Sequence, residues 1–224
     1  MTHQSTIALA SAALLAASTA TAYADDFAPP PYRGGPLSVQ AEWDFSTPFT
    51  SVDIFPEFFN AVGGSGTLFD GFMTKAELSS TSDWRWVPGD GDGGITPTDP
   101  GGGVLAFKVQ NWIDLEIEKL LRIQVTHQGA PPNIIGMTGF FGTQESDGVF
   151  LDGEFVDDQR FYEDWSIRPN PWWEIIEVSV PFGTVLDQVV IDTISIPAPG
   201  VAPLFALAVA VPSLRRRRGA GSST

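Results

Sequence analysis

The chain has 224 residues, with 27 Asp and Glu against 12 Lys and Arg, and no cysteine. That is enough for one domain with its own core, and it excludes thiol catalysis, cysteine-based metal sites and Fe–S clusters. All acidic residues fall between Asp25 and Asp192, and four basic ones form Arg215 to Arg218; residues 25–196 therefore set eight basic side chains against 27 acidic ones, a net −19 that repels nucleic-acid phosphates and anionic lipid.

Ile7 to Ala17 is apolar and uncharged. It is too short to span a bilayer and suits the core of a secretory signal. Ala22-Tyr23-Ala24 has small residues two apart, which places a cleavage before Asp25 and makes 1–24 a signal helix. Residues 25–36 carry Pro29-Pro30-Pro31 and read as a Pro-rich, extended leader.

From residue 37 the pattern changes to short alternating runs. Val39, Ala41, Trp43 and Phe45 share one face of a strand, and Trp84 and Trp86 one face of another. Gly63 to Gly66 is a turn, with a strand after it from Thr67. Gly89 to Gly103 holds too much Gly and Pro for regular structure and reads as a loop. Strands are predicted over 104–113, 120–127, 160–167, 173–180 and 185–196, and 133–141 is apolar with glycine punctuation. The link 114–119 fits a helical turn or part of a hairpin. In 173–180, Glu174, Ile176, Val178 and Val180 form the inward face. Eight or more such strands predict a mainly β domain over 37–196. The expected architecture is an antiparallel β-sandwich, jelly-roll-like, with a β-barrel as the alternative. No repeat of 20–50 residues is present.

Few residues carry recognisable chemistry. His127 is the single histidine after the signal segment, and no Gly-x-Ser-x-Gly turn, P-loop or dinucleotide-binding turn accompanies it. Asp90, Asp92 and Asp99 supply hard oxygen ligands suited to calcium. An EF-hand starting at Asp90 would place Gly94 and Gly101 at its fifth and twelfth positions, so that motif is absent, and a solvated acidic turn is the competing reading. Asp147, Asp152, Glu154, Asp157 and Asp158 form a second acidic group with the same two readings. There are seven tryptophans, a supply of rings that either fill a sandwich core or stack on sugars. Trp172 and Trp173 are the candidate carbohydrate contacts, because neighbours in one strand face opposite ways.

Val201 to Leu214 is uncharged and ends at Arg215, Arg216, Arg217 and Arg218. As a helix it spans roughly 21 Å, short of the ~30 Å hydrocarbon core. The arginine stop favours a cytoplasmic C-terminus. Residues 197–218 thus read as a membrane and sorting tail with a short hydrophobic helix, and 219–224 as a disordered end.

Pro197-Ala198-Pro199-Gly200, the short apolar segment and the arginine cluster together resemble the PEP-CTERM sorting signal. The family pattern is Pro-Glu-Pro, a hydrophobic helix and a basic stop. Ala198 stands where that pattern has glutamate, and the Pro-Ala-Pro-Gly form is similar to the variant of planctomycete-type proteins. The resemblance is confined to the tail. It implies handling by the export machinery and by an exosortase-like sorting enzyme in a Gram-negative-type bacterium that makes extracellular polysaccharide. It also implies at least transient anchoring in the membrane.

The expectation is therefore an exported protein of the cell envelope or extracellular matrix with a structural or adhesive, non-catalytic role. Polysaccharide is the expected partner outside the cell, and no nucleic acid or cofactor beyond calcium is implied. The alternatives are a carbohydrate-binding module using exposed tryptophan, and a glycan-active enzyme. For the enzyme, the many carboxylates offer pairs without nominating one.

Overall fold

A computed structural model of the chain describes residues 26–45, 48, 55–56, 58–62, 67–68, 76–88, 93–114 and 116–196. The predicted signal segment 1–24, Asp25, the predicted Gly63 to Gly66 turn, Asp90, Asp92, the Pro197 to Gly200 motif, Arg215 to Arg218 and the rest of the predicted tail lie outside the described residues. So do both predicted terminal helices.

The described residues form fifteen strands: β1 (Ser38–Trp43), β2 (Phe58–Val62), β3 (Thr67–Leu68), β4 (Glu77–Ser80), β5 (Trp84–Pro88), β6 (Gly93–Pro97), β7 (Gly103–Gln110), β8 (Trp112–Ile113), β9 (Glu118–Gln128), β10 (Asn133–Phe141), β11 (Gln144–Asp147), β12 (Val149–Phe155), β13 (Arg160–Ile167), β14 (Trp173–Val180) and β15 (Val185–Ile196). They form two packed antiparallel sheets, a β-sandwich. The larger sheet runs β12-β13-β9-β15-β1-β2, with the β5–β6 pair joined to β15. The smaller runs β11-β10-β14-β7-β4, and β3 pairs separately with β8.

The core follows the two-residue period of the strands. Val39, Ala41 and Trp43 of β1 face inward with Leu121, Ile123 and Val125 of β9 and Val189 and Ile191 of β15. Opposite them stand Leu105, Phe107 and Val109 of β7 and Ile176, Val178 and Val180 of β14. Trp43 meets Phe107 edge to face at 4.9 Å, which links the two layers. In β14 the buried set includes Glu174 with the three aliphatics, while Glu177 is exposed, as the alternation predicts.

Three sequence expectations change. The Gly89 to Gly103 stretch is not wholly loop: Gly93 to Pro97 is a fully buried strand, paired with β5 and, through Ile95, with Leu186. Its glycines are what let it in. A Cβ at Gly93 would run into the Trp86 indole, and one at Gly94 into Val185. The predicted 104–113 strand breaks at Asn111, although its N–H still bonds to the Trp172 carbonyl at 2.9 Å in the β7–β14 register, and Trp112–Ile113 then pairs with β3. The undecided link 114–119 forms no helix among its described residues: an Asx turn from Asp114 to the Glu116 N–H (2.9 Å) leads into β9 at Glu118.

Candidate functional site

The outer face of β9, β13 and β15 carries the polar set Arg122, Gln124, Asp164 and Asp192. The leader, expected as an extended linker, lies down on it. Ala28 donates its N–H to Gln124 Oε1 (2.7 Å), and Arg122 donates to the Ala28 carbonyl (3.1 Å). Arg33 holds Asp192 through Nε at 2.6 Å and also pairs with Asp26. Burial raises the Asp192 pKa, and the Arg33 guanidinium works against that rise. Tyr32 sits beneath the turn with its phenol pKa pushed up, by burial first and then by the Asp192 and Asp164 carboxylates.

The leader does not cover the whole face. An open cleft of about 280 Å³ remains, walled by Pro30, Pro31, Tyr32, Leu120, Leu151 and Trp165 and floored by the Arg122–Asp164 pair. Arg122 binds Asp164 through Nε (2.7 Å) and Nη2 (2.6 Å) and lies 4.1 Å over the Tyr162 ring. The charges in the cleft are therefore engaged with each other, and what it offers a ligand is mainly apolar and aromatic surface.

Leu151 connects this cleft to the sheet edge. β12 is an edge strand, and its Val149, Phe150, Leu151 and Phe155 are 51–63% exposed. Phe150 stands edge-on to Trp165 at 5.6 Å. β11, the edge of the other sheet, precedes β12 directly, with Gly148 as the crossing point. Here the chain turns by donating the Gly148 N–H to Met137 O (2.8 Å), and a Cβ on Gly148 would meet the Met137 side chain at 2.8 Å. Cleft and edge meet at Leu151 and at Trp165, which Phe150 touches. Periodicity did not flag the edge, because a strand exposed on both faces shows no burial alternation.

The predicted site residues are dispersed. Trp173 lies on the outer face of the smaller sheet, stacked on Phe140 at 3.9 Å and 5°. Trp172 precedes the strand and packs against Phe141 at 4.9 Å. Both are half-buried, and they do not share a platform with Trp165. Asp99 is exposed and accepts the Gly101 N–H at 2.7 Å, closing its own turn. In the second acidic group Asp157 pairs with Arg160, and Glu154 accepts from the Tyr162 hydroxyl at 3.1 Å. Among the described residues no three His, Asp or Glu are placed to hold a metal ion. His127 is fully buried beside Phe161, and that burial lowers its pKa, favouring the neutral ring.

A second polar constellation lies inside the sandwich. At one end of the core the inward positions turn from aliphatic to polar: Lys119 precedes Leu121 in β9, Glu174 precedes Ile176 in β14, Thr193 and Ser195 follow Ile191 in β15, and Asn111 follows Val109. Asn170, from the Pro-Asn-Pro link, reaches the same place. Lys119 Nζ donates to Ser195 Oγ at 3.1 Å. Asn170 Nδ2 donates to that same oxygen at 3.2 Å and to Asp114 Oδ1 at 2.7 Å. Asn111 Nδ2 donates to Glu174, and its Oδ1 accepts from Thr193 at 3.2 Å. Burial pushes Glu174 up to about 7 and Lys119 down to about 8, each opposed by the other's charge. Glu174 Oε1, Asp114 Oδ2 and Asn170 Oδ1 are buried without a hydrogen-bond partner.

Comparison with protein-family models and with curated proteins found no match for this chain.

Proposed function

We propose that this chain is an exported protein, sorted to the cell envelope by its C-terminal tail, whose sandwich serves a structural or adhesive, non-catalytic role in the surface matrix. The sorting part of the reading rests on the Ile7 to Ala17 apolar run, the Pro-Ala-Pro-Gly motif and the arginine stop. The adhesive part rests on one observation, the run of exposed apolar side chains on the β12 edge, Val149, Phe150, Leu151 and Phe155, beside the apolar Tyr32–Trp165 cleft that Leu151 helps to wall. Exposed apolar surface beside an open strand edge is what partner docking uses. A jelly-roll-like connection is supported by β9 lying between β13 and β15 instead of beside β10.

The test is fractionation of producing cells. The wild-type chain is expected in the envelope or matrix fraction. A Phe150→Ser/Phe155→Ser chain with unchanged melting temperature is expected in the medium. Equal retention of the two proteins overturns the adhesive reading, and equal retention after removal of 197–224 overturns the sorting one.

Carbohydrate binding is the second reading, favoured by the half-exposed Trp173–Phe140 stack on the outer face of the smaller sheet. Glycan-array binding that disappears in Trp173→Ala or Trp172→Ala selects it over the first.

A further inference from the structure

The interior polar cluster is expensive to keep. A Lys and a Glu, each fully buried, carry desolvation penalties that an aliphatic pair at the same positions would avoid. Three oxygen atoms of the cluster, on Glu174, Asp114 and Asn170, are buried without hydrogen-bond partners, each a further desolvation cost. Such a cluster calls for a chemical explanation. Its members are a primary amine, a carboxamide and a carboxylate, enclosed by strands and shielded from water.

We propose that Lys119 and Asn170 are joined by an intramolecular isopeptide bond between Nζ and Cγ, formed by the folded domain itself. Lys119 and Asn170 both hydrogen-bond Ser195 Oγ, at 3.1 and 3.2 Å, so their nitrogens lie no more than ~6 Å apart. Attack requires Nζ to come within about 3–3.5 Å of Cγ, a closure assigned to rotation about the terminal bonds of Lys119. Ser195 acts as the positioning residue. Asp114 Oδ1 already rests on the nitrogen that must leave, at 2.7 Å.

The step balances without an outside reactant. Lys119 and Glu174 form no ion pair in the structure, so the Lys119 ammonium gives up its proton as the side chain swings toward Asn170, with Glu174 as the buried carboxylate that takes it up, leaving a neutral amine and a neutral acid. The depressed Lys119 pKa, about 8, and the raised Glu174 pKa, about 7, narrow the cost of that exchange to about one unit. The Nζ lone pair attacks Cγ of Asn170, and the Nζ–Cγ bond forms. Asp114 carries one proton from Nζ to Nδ2. The Cγ–Nδ2 bond breaks, ammonia departs, and Asp114 returns to its starting state. The product is a secondary amide that crosslinks the start of β9 to the β13–β14 connection. In a chain with no cysteine, it is a covalent tie that needs no redox chemistry.

Mass spectrometry of the full chain decides the matter. The wild-type protein is expected to be lighter than its sequence by one ammonia, about 17 Da, after any terminal processing is accounted for. Trypsin is expected to fail at Lys119, giving the 109–122 peptide joined to the peptide that contains Asn170. Lys119→Met and Asp114→Asn, checked for folding by circular dichroism, are each expected to show the unmodified mass. A folded wild-type chain with free Lys119 and intact Asn170 overturns the proposal. So does a loss of water in place of ammonia, which would place the amide on a carboxylate instead.

Discussion

Replacing Arg33 with alanine isolates the contribution of the leader clamp. Arg33 is the cation for Asp192, a carboxylate only 1% exposed, and its removal leaves that charge buried with the Gln124 amide at 3.4 Å as the chief remaining donor. Removing one partner of a buried pair costs about 3–5 kcal/mol. Here the leader can lift and admit water, so the smaller figure of about 2–3 kcal/mol at pH 7 is expected. For a domain of this size that is roughly 5–10 °C in melting temperature. The pH dependence has a definite sign. Burial sets the folded-state pKa of Asp192 above the ordinary carboxylate value, and losing Arg33 raises it further. The deficit of Arg33→Ala is therefore greatest at neutral pH and narrows as the pH falls through that raised value and Asp192 takes up a proton. Asp192→Asn in the same background should recover most of the loss in a double-mutant cycle. Thermal denaturation of the four proteins at pH 7 and pH 5 tests the chain of reasoning. Melting temperatures that agree at pH 7, or a gap that widens on acidification, would show that the leader is not clamped through this pair.

Gly93→Ala is expected to destabilise by several kcal/mol, because its methyl group displaces the Trp86 indole from its 2.9 Å bond to the Phe45 carbonyl; a denaturant midpoint equal to wild type would contradict the packing of β6. Trp43→Ala empties a fully buried site against Phe107 and should cost about 3–5 kcal/mol, read by urea unfolding. Glu174, raised from 4.5 to about 7, contributes stability that is fully present below pH 4.5 and is lost as pH rises through 7. Glu174→Gln should accordingly flatten the decline in unfolding free energy between those limits, and an unchanged slope would refute the raised value. Phe155→Ser, at a side chain 63% exposed, should shift stability by no more than about 0.5 kcal/mol while weakening matrix retention.

The parts of the fold visible in the sequence are those where one strand face is buried and the other is not. Val39, Ala41 and Trp43 announce β1, and Ile176, Val178 and Val180 announce β14, because their alternation reflects real burial. β6 escaped notice for the opposite reason. It is buried on both sides, and its space is filled by Trp86 and Val185 from neighbouring strands, so its own residues are the small ones that usually mark loops. β12 escaped because it is exposed throughout. The interior cluster was half legible. Alternation places Glu174 on the inward face of its strand, but Lys119 lies in the link 114–119, which carries no clear period, and Asn170 in a Pro-flanked break. Their convergence depends on Ser195, distant in sequence and set opposite Lys119 by the β9–β15 register. That is tertiary information which no local pattern carries.

The place of β15 in the sheet has a mechanical consequence. It is an interior strand, held along its length by β9 on one side and by β1 over Val189 to Ile194 on the other, and it is the last described strand before residue 197. Tension applied through the residues after Ile196 therefore runs along a strand whose hydrogen bonds lie across the pull, so they are loaded together in shear, whereas an edge strand would peel away one bond at a time. Pulling single molecules from residue 196 should require more force than pulling from β12. A domain tethered through the far end of β15 would meet the drag of its surroundings with the strongest seam it has.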